Sequence, residues 1–316
     1  MHINTFFLLL LAYLPSFSQI QPGLITSDGQ KDIIPEGIAF DKKAGHFYIS
    51  SIHHKKIIRV GKDGHTTDFI STGQDGFMEG LGMKVDNQRN LLWAVSVSEE
   101  NKQFTCGVHG FDLQSGTTIH HFELKDTVPH LFNDLIVDNK GTVWITDTYY
   151  GAIYKATNNL ELFCKDSLLS YCNGITIPAT GKIIVTSYPR GPMLIDTKTK
   201  KIKQIKGITD NKIARGLDGL VTFDNSIIAV FNGSNNVAEQ AVIQFKLNAA
   251  ADSIVAIKTI DKGNQYFQEP TTAAIDGNQL YVLANSYIEL YFKNKKNTQG
   301  VEEKLGPVRI LSYRLE

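Results

Sequence analysis

The sequence predicts an all-β chain: a six-bladed β-propeller with four antiparallel strands per blade and a metal site in the central channel. Three observations predict it. A two-strand unit recurs six times at roughly 47-residue intervals, the range of propeller blades. Helical periodicity is nearly absent between these units. Four oxygen-bearing side chains, Glu36, Asn133, Asn173 and Asp218, stand at the start of the first strand in four of the copies.

The first unit joins Phe40-Asp41 to Phe47-Tyr48-Ile49, and two more strands follow over 57–60 and 66–70 around the turn Lys62-Asp63-Gly64. The second joins Val85-Asp86 to 91–95. The third joins Val137-Asp138 to Val143-Trp144-Ile145, with a further strand over 152–155. The fourth joins Ile177 to Ile183-Ile184-Val185. The fifth joins Phe223-Asp224 to 227–230, with a further strand over 241–245, and the sixth joins Ile275-Asp276 to Leu280-Tyr281-Val282. Each copy sets β-branched and aromatic runs around Gly, Asn or Asp turns, which is a hairpin signature. The last strand, 308–315, is expected to pair with a strand near Leu24-Ile25-Thr26 and so leave the ring without a free edge.

Composition narrows the function. Thirty-two basic and 32 acidic residues cancel to a formal net charge of zero. No basic stripe stands out, which argues against a nucleic-acid partner. Residues 6–14 form an apolar run too short to span a bilayer, and no later segment is long and apolar enough to do so. With the small residues Ser16 and Ser18 after it, the run reads as a signal peptide over 1–18, ahead of a propeller domain over 19–316. The expected location is secreted or periplasmic. Three cysteines, Cys106, Cys164 and Cys172, leave at least one thiol unpaired, and all three read as small buried apolar residues.

In a propeller the first strands of all blades converge on one channel, so equal phase means equal height. Four residues before the apolar residue that closes each first strand stand Glu36, Leu81, Asn133, Asn173 and Thr271. Asp218 stands five before Phe223, an offset that a bulge is expected to absorb. Two carboxylates and two carboxamides make a hard, oxygen-only cage with two negative charges. Such a cage suits Ca²⁺, with other divalent cations possible. The wall of the site is expected from loops after the second strands: His53, Tyr149, Tyr150, Tyr188, Arg190 and Asn232, with Arg190 suited to a carboxylate or phosphate. Asp134 is expected to orient Asn133. Competing chemistry is thin: the chain has no phosphate-cradling glycine loop, no Cys-x-x-Cys pair and no Gly-x-Ser-x-Gly elbow.

The motifs Glu36-Gly37, Asn133-Asp134, Asn173-Gly174 and Asp218-Gly219 resemble the divalent-metal ligands of the regucalcin/gluconolactonase family of six-bladed propellers. The resemblance implies Ca²⁺ held by Glu36, Asn133, Asn173 and Asp218, with Asp218 also catalytic. It implies a metal-dependent hydrolase that opens a small-molecule lactone or related ester with water. Two positions depart from the gluconolactonase type. Ile38-Ala39-Phe40 follows the first Glu-Gly where an earlier aromatic is usual, and Phe132 stands where that type carries a substrate-binding Arg. His130 and His53-His54 are positional counterparts of the His dyad of the related paraoxonases. The alternative on the same fold is a non-catalytic propeller of the NHL type that binds a ligand or protein, with the metal structural or absent.

Overall fold

The computed structural model describes residues 21–316; the expected export segment, 1–18, lies outside the described residues. Six four-stranded antiparallel sheets follow one another around a ring. Their innermost strands are Pro35–Asp41, Glu79–Asp86, Phe132–Val137, Cys172–Thr176, Leu217–Phe223 and Ala273–Asp276, which we number as blades one to six. The outermost strand of blade six is Gly23–Thr26, paired with Arg309–Arg314 in the register Gly23↔Ser312 to Thr26↔Arg309. The expected closure is therefore observed: the two ends of the described chain share one sheet, and no blade edge is left open at the seam. Among the described residues, no helix is long and apolar enough to cross a membrane.

Burial grades from the axis outward. Every residue of Pro35–Asp41 is buried, as expected for a strand covered on both faces. The outermost strand of blade two, Thr118–Asp126, alternates between half-buried and exposed residues and faces water. The core is divided into six wedges, one between each pair of neighbouring blades. Between blades six and one, Phe47 packs edge-on against Tyr281 at a centroid distance of 4.8 Å, amid Ile38, Ile49 and Ile310. Between blades one and two lie Tyr48, Phe69, Phe77 and Phe111. Each such fully buried side chain contributes about 1.5–3 kcal/mol by leaving water, so the wedges hold the ring together. Cys106 and Cys172 are buried as the sequence predicts, and Cys164 is half-buried.

One segment departs from the blade pattern. Between Gln279–Leu283 and Arg309–Arg314 the chain leaves blade six and forms a short helix, Ile288–Lys293. Tyr287, Tyr291 and Leu305 of this excursion pack with Ile52, Leu81 and Val97 of blades one and two. It therefore lies across the channel mouth as a lid.

Candidate metal centre and channel mouth

Five of the six innermost strands carry a register shift at the same place: Pro35/Ile38, Gly80/Met83, Phe132/Leu135, Cys172/Ile175 and Leu217/Leu220. The residues inside these bulges are Glu36-Gly37, Leu81-Gly82, Asn133-Asp134, Asn173-Gly174 and Asp218-Gly219. A bulge leaves its residues out of the ladder and re-aims their side chains. This is how a strand buried on both faces turns a polar side chain into the channel. Asp218 is in register with the other three rather than one residue off. Phe223 pairs with Ser226 as Asp41 pairs with His46, so Phe223 corresponds to Asp41, not to Phe40. The extra residue is an extension of the strand at its far end.

The glycines have a reason other than a turn. Gly37, Gly174 and Gly219 have no positive φ. A Cβ on Gly174 would stand 2.4 Å from the Asp218 carbonyl oxygen, and one on Gly219 would stand 2.6 Å from Thr272 Cα. Glycine lets the innermost strands of blades one, four and five approach the backbone of the next, and that approach draws the donors together. Hydroxyls from beside the strands fix the height of the donors. Thr146 donates to the Asn173 carbonyl at 2.7 Å, Thr186 to the Asp218 carbonyl at 3.0 Å, and Thr271 to the Glu36 carbonyl at 2.6 Å. Thr271, read from the sequence as a weak fifth donor, has its hydroxyl proton committed to that bond.

Glu36, Asn133, Asn173 and Asp218 together line the floor of a cavity of about 490 Å³ at the channel mouth. Glu36, Asn133 and Asp218 are buried. Glu36 Oε2 and Asn133 Oδ1 are sealed from solvent with no hydrogen-bond partner among the described residues. Asp218 Oδ2 accepts from Asn232 Nδ2, which also donates to the Pro270 carbonyl at 2.9 Å. Burial drives the Glu36 carboxyl well above its usual range, and the charges of Asp218 and Asp134 push it further. Burial likewise pushes Asp218 up to about 8, against the hydrogen bond from Asn232 and with the charges of Asp134 and Glu269. Asp134 is pushed up to about 6, chiefly by burial. Its oxygens accept the N–H groups of Leu135 and Ile175, so it ties blade three to blade four rather than bonding to the Asn133 side chain.

Buried acceptors without partners and crowded carboxylates are costly unless a cation meets them. The donor set fits a hard divalent ion: all oxygens, two of them carboxylates.

The wall is formed by Tyr149, Tyr188 and Asn232, with Ile288, Leu290 and Phe292 from the lid. Tyr149 is 54% exposed, so its ring is available to a ligand rather than used in blade packing. Tyr188 Oη donates to Asn232 Oδ1 at 3.2 Å. Arg190 is not brought to the mouth. It lines a separate cleft with Pro189, Pro192 and Gln204, because the turn after the wall tyrosine, closed by the Arg190 N–H on the Ser187 carbonyl at 2.9 Å, carries it away. His130 is buried against Asp147 and Tyr150 and does not line the cavity. Glu269 also lines the cavity, and both its oxygens accept the Glu289 N–H and so hold the lid. Lys293, at the end of the lid helix, lines the cavity, and Lys296 pairs with Glu79 at 2.8 Å.

The matched frame of bulges and oxygen donors spans blades one, three, four and five. Residues 34–166 match the family model of the SMP-30/Gluconolactonase/LRE-like region. The match includes Glu36, Asn133 and Asp134 and ends before Asn173 and Asp218. Solved structures share this fold over nearly the whole chain. A calcium-binding protein, regucalcin, from Agrobacterium tumefaciens aligns at 16% identity with a TM-score of 0.61, covering 94% of this chain and 96% of that one. A gluconolactonase from Xanthomonas campestris aligns at 13% identity with a TM-score of 0.59, covering 94% and 92%. A PQQ-bound aldose sugar dehydrogenase from Streptomyces coelicolor aligns at 13% identity with a TM-score of 0.61, covering 94% and 99%. At such identities the likeness is one of fold, and that fold carries more than one chemistry. No curated relative matches the chain by sequence.

Proposed function

We propose that the channel mouth binds a divalent cation, Ca²⁺ by its donor chemistry, and that the chain hydrolyses a lactone or related ester there. The observation that carries this reading is the pair of orphaned buried oxygens, Glu36 Oε2 and Asn133 Oδ1, on two of the residues that line the cavity with Asp218 and Asn173. Glu36, Asn133, Asn173 and Asp218 would hold the ion. When bound, it would polarise a carbonyl oxygen of the substrate as a Lewis acid.

The protein's own groups would do the rest. Asn232 occupies Oδ2 of Asp218, which leaves Oδ1 to accept a proton from the attacking water. The bond to Pro270 holds Asn232 itself in place. Tyr149 and Tyr188 offer flat, partly exposed faces for the body of the substrate. Ile288, Leu290 and Phe292 of the lid thin the water above it. Phe132, where the gluconolactonase type carries a substrate-binding Arg, is fully buried and does not line the cavity.

The test is bound-metal content measured together with turnover of a panel of lactones and aryl esters, with and without EDTA, for the parent and Asp218→Asn. Turnover that requires metal and is lost in Asp218→Asn supports the reading. Turnover that survives both treatments removes it. Stoichiometric metal with no turnover across the panel leaves a ligand-binding propeller.

A further inference from the structure

A second cluster of metal-type side chains lies beside the mouth, in blade one. Asp32 ends the turn before the innermost strand, and His53 and His54 lie in the turn after His46–Ser51. Ser51 joins the two turns: its hydroxyl donates to the Ile33 carbonyl at 2.6 Å and accepts the His54 N–H at 2.8 Å. Ile34 sits in the left-handed region (φ 48), a conformation that β-branched residues rarely adopt. The chain thus accepts backbone strain where it sets Asp32 against the histidines.

One donor atom from each of Asp32, His53 and His54 lies within 4.8 Å of the others. His54 Nε2 is 2.9 Å from Asp32 Oδ1, yet it is sealed from solvent and makes no aligned hydrogen bond among the described residues. A close contact off the N–H direction is poor hydrogen bonding but ordinary spacing for two ligands of one ion. Bonds of about 2.0–2.2 Å around a tetrahedral centre place neighbouring donors roughly 3.3 Å apart. His53 Nε2 lies 4.0 Å from Asp32 Oδ2, within reach of a small ring rotation. Its other nitrogen, Nδ1, is 3.1 Å from the Tyr291 hydroxyl of the lid helix. A proton held there leaves the Nε2 lone pair directed toward the cluster, which is the usual arrangement behind a metal-bound imidazole. Thr298 Oγ1, also from the lid, stands 3.4 Å from Nε2.

We propose that Asp32, His53 and His54 form a second cation site, chemically distinct from the channel cage and suited to a borderline ion of the zinc class. Two imidazoles and one carboxylate select such an ion, whereas the all-oxygen cage selects Ca²⁺. None of the three residues lines the channel cavity, so the two sites load independently. Three protein ligands leave a fourth position open to water. Because Tyr291 holds His53, an ion here also fastens the lid to blade one.

The test is titration of the purified full chain with Co²⁺ in excess Ca²⁺, read by visible absorption, followed by displacement with Zn²⁺. The expected result is a band that saturates at one ion per chain and is removed by one equivalent of Zn²⁺. His54→Ala and Asp32→Asn, each shown to be folded by circular dichroism, should weaken Co²⁺ by more than about a hundredfold, and Tyr291→Phe by about tenfold. Asp218→Asn should leave the titration unchanged, which separates this site from the channel. Absence of the band, its persistence in both ligand variants, or its loss in Asp218→Asn overturns the proposal.

Discussion

The hydroxyl of Thr271 donates to the backbone carbonyl of Glu36 across 2.6 Å, although 235 residues separate them in sequence. This bond joins blade six to blade one at the height of the candidate metal ligands. The same device recurs between blades three and four and between blades four and five, through Thr146 and Thr186. Donor placement and ring closure therefore share the same contacts.

Thr271→Val should expose that coupling. The substitution keeps the shape and strips the donor, leaving a buried carbonyl unpaired at a cost of about 1–3 kcal/mol. Thermal unfolding should show the loss, and calcium titration should show weaker binding. Thr271→Ser should restore both. A Val variant that binds calcium like the parent would separate closure from the site.

Removing metal should reveal the crowding of acids at the floor. In EDTA, Glu36→Gln should melt higher than the parent, by about 2 °C or more, because it removes a buried carboxylate beside Asp218 and Asp134. In calcium the order should reverse, since the variant lacks a ligand charge. Scanning calorimetry in both buffers checks the crossing; equal melting points in EDTA would contradict the crowding.

Gly174→Ala should be severe despite adding one methyl. Its Cβ would meet backbone atoms of blade five, the Asp218 carbonyl at 2.4 Å and the Leu220 nitrogen at 2.6 Å, so the strands must part. We expect a loss of about 1–3 kcal/mol, typical of overpacking, and loss of metal binding. Gly181→Ala, where a Cβ meets nothing within 4 Å but φ is positive, should cost only backbone strain and leave metal binding intact.

Acid stability should depend on His109. It is fully buried, with Ser96 Oγ at 3.1 Å from Nε2 and no partner for Nδ1 among the described residues. Burial, aided by the neighbouring His121, pushes it down to about 3 from an ordinary value of 6.5. The unfolded chain thus binds a proton that the folded chain refuses. The contribution is fully present above about pH 6.5 and is lost progressively as pH falls toward 3. His109→Gln should flatten this part of the melting-temperature profile between pH 6.5 and 4. An unchanged slope would mean that the imidazole is charged in the fold.

The ring was legible because it is written as repeats: hairpins such as Phe40-Asp41 with Phe47-Tyr48-Ile49 carry their own turn chemistry and alternation. The common height of Glu36, Asn133, Asn173 and Asp218 was legible for the same reason. The role of their glycines was not, because the atoms that exclude a Cβ belong to the next blade. The lid was hidden because Ile288–Lys293 is a helix of six residues whose place over the mouth is set by tertiary contacts of Tyr287 and Tyr291. Arg190 misled because its distance from the second strand is right, while the turn closed by its own N–H on the Ser187 carbonyl sends it elsewhere.

The clasp of blade six, Gly23–Thr26 against Arg309–Arg314, is four residues long on its outer side. Head and tail are thus stitched into the same wedge, and neither can peel away without loosening a sheet that touches blades five and one together. A cut just after Thr26 would leave the circle held at its seam by side-chain packing and the Thr271–Glu36 bond alone, and the first property to suffer would be the placing of Glu36.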